Sequence, residues 1–70
     1  MAEIRAPITG SVWKVLVAEG EPVVADQIVV IIESMKLEIA VEAEGAGTVS
    51  RVACAVGDVV MEDDVLLELA

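Results

Sequence analysis

Residues 6–33, APITGSVWKVLVAEGEPVVADQIVVIIE, overlay residues 43–70, AEGAGTVSRVACAVGDVVMEDDVLLELA, without a gap at an offset of 37 positions. Eight of the 28 aligned pairs are identical: Ala6/Ala43, Gly10/Gly47, Val12/Val49, Val15/Val52, Ala18/Ala55, Gly20/Gly57, Val23/Val60 and Asp26/Asp63. Ser11/Thr48, Lys14/Arg51, Glu21/Asp58 and Ile28/Val65 are chemically alike. Each copy reads alanine, a glycine turn, an apolar run, a second glycine turn and a second apolar run. A repeat this short cannot bury its apolar face alone. Two copies packed face to face about a pseudo-twofold axis can bury both.

The apolar runs read as strands. Fourteen of the 70 residues are valine, and branched side chains fit a pleated sheet better than a helix. Eight short strands are expected, over residues 3–6, 11–17, 22–24, 28–33, 37–42, 48–54, 59–61 and 65–69. LEIAVE, residues 37–42, alternates, with Leu37, Ile39 and Val41 on one face and Glu38 and Glu42 on the other. IVVII, residues 28–32, does not alternate and reads as a strand with little solvent exposure. Gly10, Gly20, Gly45, Gly47 and Gly57 separate the runs, where turns need positive φ or close approach. The expected fold is all-β: a flattened barrel or sandwich of two small antiparallel sheets with internal pseudo-twofold symmetry. Residues 1–70 are expected to form one domain.

Composition narrows the chemistry. A net charge of −9 argues against nucleic acid, whose phosphates require clustered lysine and arginine. There is no histidine, tyrosine or phenylalanine, which removes histidine-based proton shuttles, catalytic triads and most zinc sites. Cys54 is the one cysteine, so no intramolecular disulfide forms, and it reads as a buried core thiol. Trp13, the one aromatic residue, is expected to pack in the core or against a side face. The apolar run 28–32 is far too short to span a bilayer, and the opening MAEIRAP lacks the apolar segment of a secretory signal. A cytoplasmic protein with no membrane partner is the expectation.

Between the two copies lies ESMKLE, residues 33–38, which holds one of only four basic side chains. With 28–33 and 37–42 antiparallel, Ser34, Met35 and Lys36 form the tip of a tight hairpin, the most accessible kind of position in a chain. Gly, Asn or Asp is usual there. A catalytic lysine needs burial or a neighbouring cation. The nearest charges in sequence are instead Glu33 and Glu38. Met35 is a flexible apolar side chain suited to docking. Lys36 therefore reads either as a solvated charge or as a displayed attachment point whose chemistry another enzyme supplies.

ESMKLE in this setting resembles the modification hairpin of the biotinyl domains of biotin-dependent carboxylases, within the biotin/lipoyl attachment family. APITGSV is similar to that family's opening strand and GTVSRVACAVGDVV to the strands after the hairpin, so the resemblance covers nearly the whole chain. Met35 and Lys36 match the common Ala-Met-Lys-Met signature, while Ser34 and Leu37 replace its first and last residues. The resemblance implies that Lys36 carries biotin and that Ser34, Met35 and Leu37 form the recognition motif. It implies three partners: biotin protein ligase, biotin carboxylase and a carboxyltransferase acting on acetyl-CoA or another acyl-CoA, as in fatty acid biosynthesis. Glu33 and Glu38 would flank the docking site. The domain itself would catalyse nothing. Glu33-Ser34 before the lysine is also similar to lipoyl domains, so a lipoyl or dual carrier is the alternative, and an unmodified structural module is a third. Asp26 and Asp63 stand where the family often has glycine. Residues 17–26 leave no room for the protruding thumb of some acetyl-CoA carboxylase carriers.

Overall fold

The computed structural model describes residues 2–70. Eight strands follow one another: β1 (Ala2–Arg5), β2 (Gly10–Val15), β3 (Pro22–Val23), β4 (Ile28–Ser34), β5 (Leu37–Glu42), β6 (Gly47–Val52), β7 (Val59–Val60) and β8 (Val65–Leu69). Every expected strand is present, with its ends moved by at most two residues. All pairings are antiparallel and form two four-stranded sheets, ordered β1-β8-β6-β3 and β5-β4-β2-β7. Among the described residues no helix is long and apolar enough to cross a membrane.

The two-fold reaches individual residues. The sixteen buried apolar side chains fall into eight pairs spaced 37 apart: Ile4/Val41, Ala6/Ala43, Val12/Val49, Val17/Cys54, Val23/Val60, Val29/Leu66, Val30/Leu67 and Ile32/Leu69. Cys54 is thus a core thiol, and burial pushes its pKa up. Turn hydrogen bonds repeat likewise. The N–H of Ala18 donates to Glu21 Oε1, and that of Ala55 to Asp58 Oδ2. The N–H of Val24 donates to Gln27 Oε1, and that of Met61 to Asp64 Oδ2. Asp26 and Asp63 stand third in the latter turns at φ 69° and 74°, a left-handed conformation that aspartate tolerates better than most residues.

Two expectations need correction. The halves do not pack as separate units, because each gives its shortest strand to the other. β3 of the first half pairs with β6, and β7 of the second pairs with β2. Nor is β4 uniformly shielded, since Ile28 is 41% exposed and Ile31 half-buried. Val29 and Val30 are both buried because a bulge shifts the β4–β5 register between Ile28 and Val30. One extra residue lets two neighbours face the same side. The β1–β8 pairing carries the matching irregularity opposite Leu66, which is why Leu66 and Leu67 are also both buried.

Candidate functional site

The β4–β5 hairpin owes its register to apolar pairs on its core side, Ile32 opposite Ile39 and Val30 opposite Val41. That register continues to Glu33 opposite Glu38 and Ser34 opposite Leu37, leaving a two-residue loop of Met35 and Lys36. Both loop residues have positive φ, 53° and 67°. This is the primed type of turn, whose twist matches the flanking strands and which favours Asn-Gly. A side chain in that conformation costs about 1 kcal/mol, so the sequence keeps Met35 and Lys36 against local preference. Met35→Gly is expected to stabilise the fold by up to about 1 kcal/mol, read from urea unfolding, less what glycine loses in chain entropy.

The hairpin rests on β2. Ser11 lies opposite Glu33, and a Cβ built on Gly10 would stand 2.5 Å from the Glu33 carbonyl oxygen and 2.7 Å from Ile32 Cγ2. Gly10 is therefore the seat of the hairpin, a role that its place before a strand signalled only as a turn. Thr9 Oγ1 accepts the N–H of Glu62 at 3.1 Å, which joins the segment before β2 to the β7–β8 turn. No pattern in the sequence pointed to that contact.

At the tip, Lys36 is exposed and Met35 is 90% exposed. Leu37 is 66% exposed, so its place on the apolar face of β5 does not bury it: the strand has passed beyond the core. Ser34 is half-buried, and Glu33 and Glu38 are solvated. The other three cations are engaged. Arg5 bonds Glu3 and the Asp63 carbonyl, Arg51 bonds Glu68 at 2.7 Å, and Lys14 Nζ lies 4.6 Å from the centroid of the Trp13 ring. The carboxylate of Glu68 raises the Arg51 pKa by hydrogen bond and by charge. Of the four basic side chains, Lys36 alone has no ion pair, side-chain hydrogen bond or aromatic partner among the described residues, although two glutamates face each other just behind it. Trp13 is not a core residue. It is 39% exposed, the extra residue where the β2–β4 register shifts between Val12 and Lys14.

The arrangement offers a free amine on a rigid two-stranded arm, with an apolar thioether beside it. Among the described residues no group of three or more Cys, Asp or Glu side chains is placed to hold a metal ion.

Comparison with known proteins agrees with this geometry. Residues 2–69 match the biotin/lipoyl family described as "Biotin-requiring enzyme". Over 67 residues the chain is 46% identical to a biotinylated protein TB7.3 homolog of Mycobacterium leprae, covering 94% of each chain. It is also 46% identical over 67 residues to a biotin/lipoyl attachment protein of Bacillus subtilis, covering 96% of this chain and 92% of that one. The crystal structure of Kluyveromyces lactis urea carboxylase superposes with a TM-score of 0.91 at 33% identity, over 99% of this chain but 6% of that enzyme. The fold is that of a cofactor-carrying domain. The chain belongs to the biotin/lipoyl attachment family, as a carrier domain of the biotin-dependent carboxylase type whose cofactor is biotin. The residues fit covalent biotin: Lys36 is reachable from outside and no other side chain competes for its amine.

Proposed function

We propose that Lys36 is the biotin-bearing residue and that the domain carries a carboxyl group between the active sites of a biotin-dependent carboxylase. The observation that carries this reading is the unpartnered Lys36 amine in a left-handed turn beside a 90% exposed methionine. A biotin protein ligase supplies biotin activated as its acyl-adenylate. The deprotonated Lys36 amine attacks the acyl carbon, the C–N bond of an amide forms, the mixed-anhydride C–O bond breaks, and AMP leaves with the electron pair. One positive charge is lost, taking the net charge from −9 to −10. When bound, biotin supplies a ring nitrogen that accepts and releases a carboxyl group. The chain itself supplies position: the hairpin holds the attachment point clear of the sandwich, and tethering raises the local concentration of the group at each partner site.

Met35 and Leu37 form the apolar part of the motif that the ligase reads, with Ser34 at its base. Glu33 and Glu38 present negative charge to the biotin carboxylase and carboxyltransferase. Intact mass after co-expression with a biotin protein ligase tests the reading, with a lipoyl ligase as the parallel arm. A biotin increment alone is the expected outcome. A lipoyl increment alone would transfer the site to the other cofactor, and no increment with either would remove the carrier function. Met35→Ala is expected to slow biotin attachment severalfold while leaving the melting temperature within a few degrees, since a side chain exposed to this degree buries little. Equal labelling rates would remove Met35 from the recognition motif.

A further inference from the structure

Among the described residues the core obeys the two-fold at every buried position, but not at partly buried Ile8. Ile8 packs against the core, but its mate 37 residues on is Gly45, where an added Cβ would meet nothing within 4 Å. A second asymmetry lies alongside. Ile39, half-buried near the hairpin, has Ala2 as its mate. Isoleucines thus stand at positions 8 and 39, and glycine and alanine at their two-fold mates, 45 and 2. Ala2 and Gly45 line a groove of about 390 Å³ between β1 and β5. Ile4, Val41, Ala43 and Leu69 contribute apolar lining, and four carboxylates, Glu3, Asp26, Glu42 and Glu44, also line it. Among the described residues Arg5 is the one cation of the lining, and it is already bonded to Glu3 and to the Asp63 carbonyl.

β1 and β5 are each an edge strand of one sheet, paired on one side only among the described residues. An extended chain laid along either edge can complete its backbone hydrogen bonds, the recognition mode in which added strands dock. The volume lies within the range of small-molecule pockets and admits an aliphatic side chain. The acidic rim selects a basic sequence around that side chain. We propose that this groove docks an extended segment of a partner protein, seating one aliphatic side chain over Gly45 with lysine or arginine on either side of it. The groove lies by Ala2 and Leu69, the two-fold mates of Ile39 and Ile32 in the hairpin, so a partner held there leaves Lys36 free. The proposal does not depend on which cofactor Lys36 carries.

The test uses the full chain, isotopically labelled, and three acetylated octapeptides: alternating lysine–valine, lysine–serine and glutamate–valine. The lysine–valine peptide is expected to shift the amides of residues 2–5 and 40–46 while leaving Met35 and Lys36 unmoved. Gly45→Ile refills the place that Ile8 fills at the other end. It is expected to keep or raise the melting temperature and to weaken the lysine–valine peptide about tenfold or more. Glu42→Gln, which leaves the groove open, is expected to weaken it severalfold and to flatten its salt dependence. Four results would each overturn the proposal: groove amides that do not move, equal binding of the lysine–serine peptide, undiminished binding by both variants, or concentration-dependent shifts of the same amides without peptide, which would make a second copy of the chain the occupant.

Discussion

Replacing Lys36 by arginine is expected to abolish biotin attachment completely while the domain melts within about 2 °C of the parent. The charge is kept, so a loss of labelling cannot be assigned to electrostatics. What changes is the nucleophile. A guanidinium stays protonated and delocalised, whereas an amine can lose its proton and attack an acyl carbon. The chain has one other lysine, Lys14, which lies over the Trp13 ring within β2, opposite Ile31 of β4 rather than in a hairpin loop. Peptide mapping after incubation with biotin and ligase therefore has a clear result: label on the peptide containing Lys36 in the parent and none anywhere in the variant. Label recovered on Lys14, or on Lys36→Arg at the parental rate, would remove Lys36 as the site. A melting temperature lowered by ten degrees would instead make Lys36 structural.

The largest expected loss of stability comes from Gly10→Ala. The new methyl would stand 2.5 Å from the carbonyl oxygen of Glu33, a backbone atom in the strand that carries the hairpin. Real Cβ contacts are not that short, so β2 or β4 must move and the pairing Ser11 to Glu33 must stretch. Overpacking of this kind costs about 2–3 kcal/mol, which lowers the melting temperature of a domain this size by about 10–20 °C. The two-fold supplies an internal control. The mate of Gly10 is Gly47, whose Cβ would stand 3.3 Å from the carbonyl oxygen of Ala70, the mate of Glu33. That contact, and the 3.3 Å one to Leu69 Cβ, are far looser than the 2.5 and 2.7 Å met at Gly10, so Gly47→Ala is expected to cost less than half as much. Gly45→Ala meets nothing at all and should be close to neutral. Equal losses for Gly10→Ala and Gly45→Ala would mean that chain entropy, not contact, sets the cost.

The repeat made most of the fold legible. An offset of 37 that aligned glycines with glycines and valines with valines also aligned strands and core pairs, because both copies solve one packing problem. The displayed lysine was legible for the same reason, since it lies between the copies. Three features were not. The exchange of β3 and β7 is not legible because two-residue strands carry no periodicity, and nothing local says which sheet they join. The bulges at Val29 and Leu66 come from register between distant strands, so IVVII read as a strand buried on both faces when it is a strand with a kink. In the sequence Gly45 reads as a turn residue, yet neither its φ nor any close approach requires glycine there. Its meaning is the absence of an isoleucine, visible only when its mate Ile8 is seen packed.

Ala2 lies opposite Leu69 just as Ile39 lies opposite Ile32. β8 and β1 pair as β4 and β5 do, so the two-fold mate of the Met35–Lys36 loop is a link from β8 back to β1. A circular permutant that closes that link with two residues and begins at Lys36 should fold to the same sandwich, with its displayed amine moved onto a loose end.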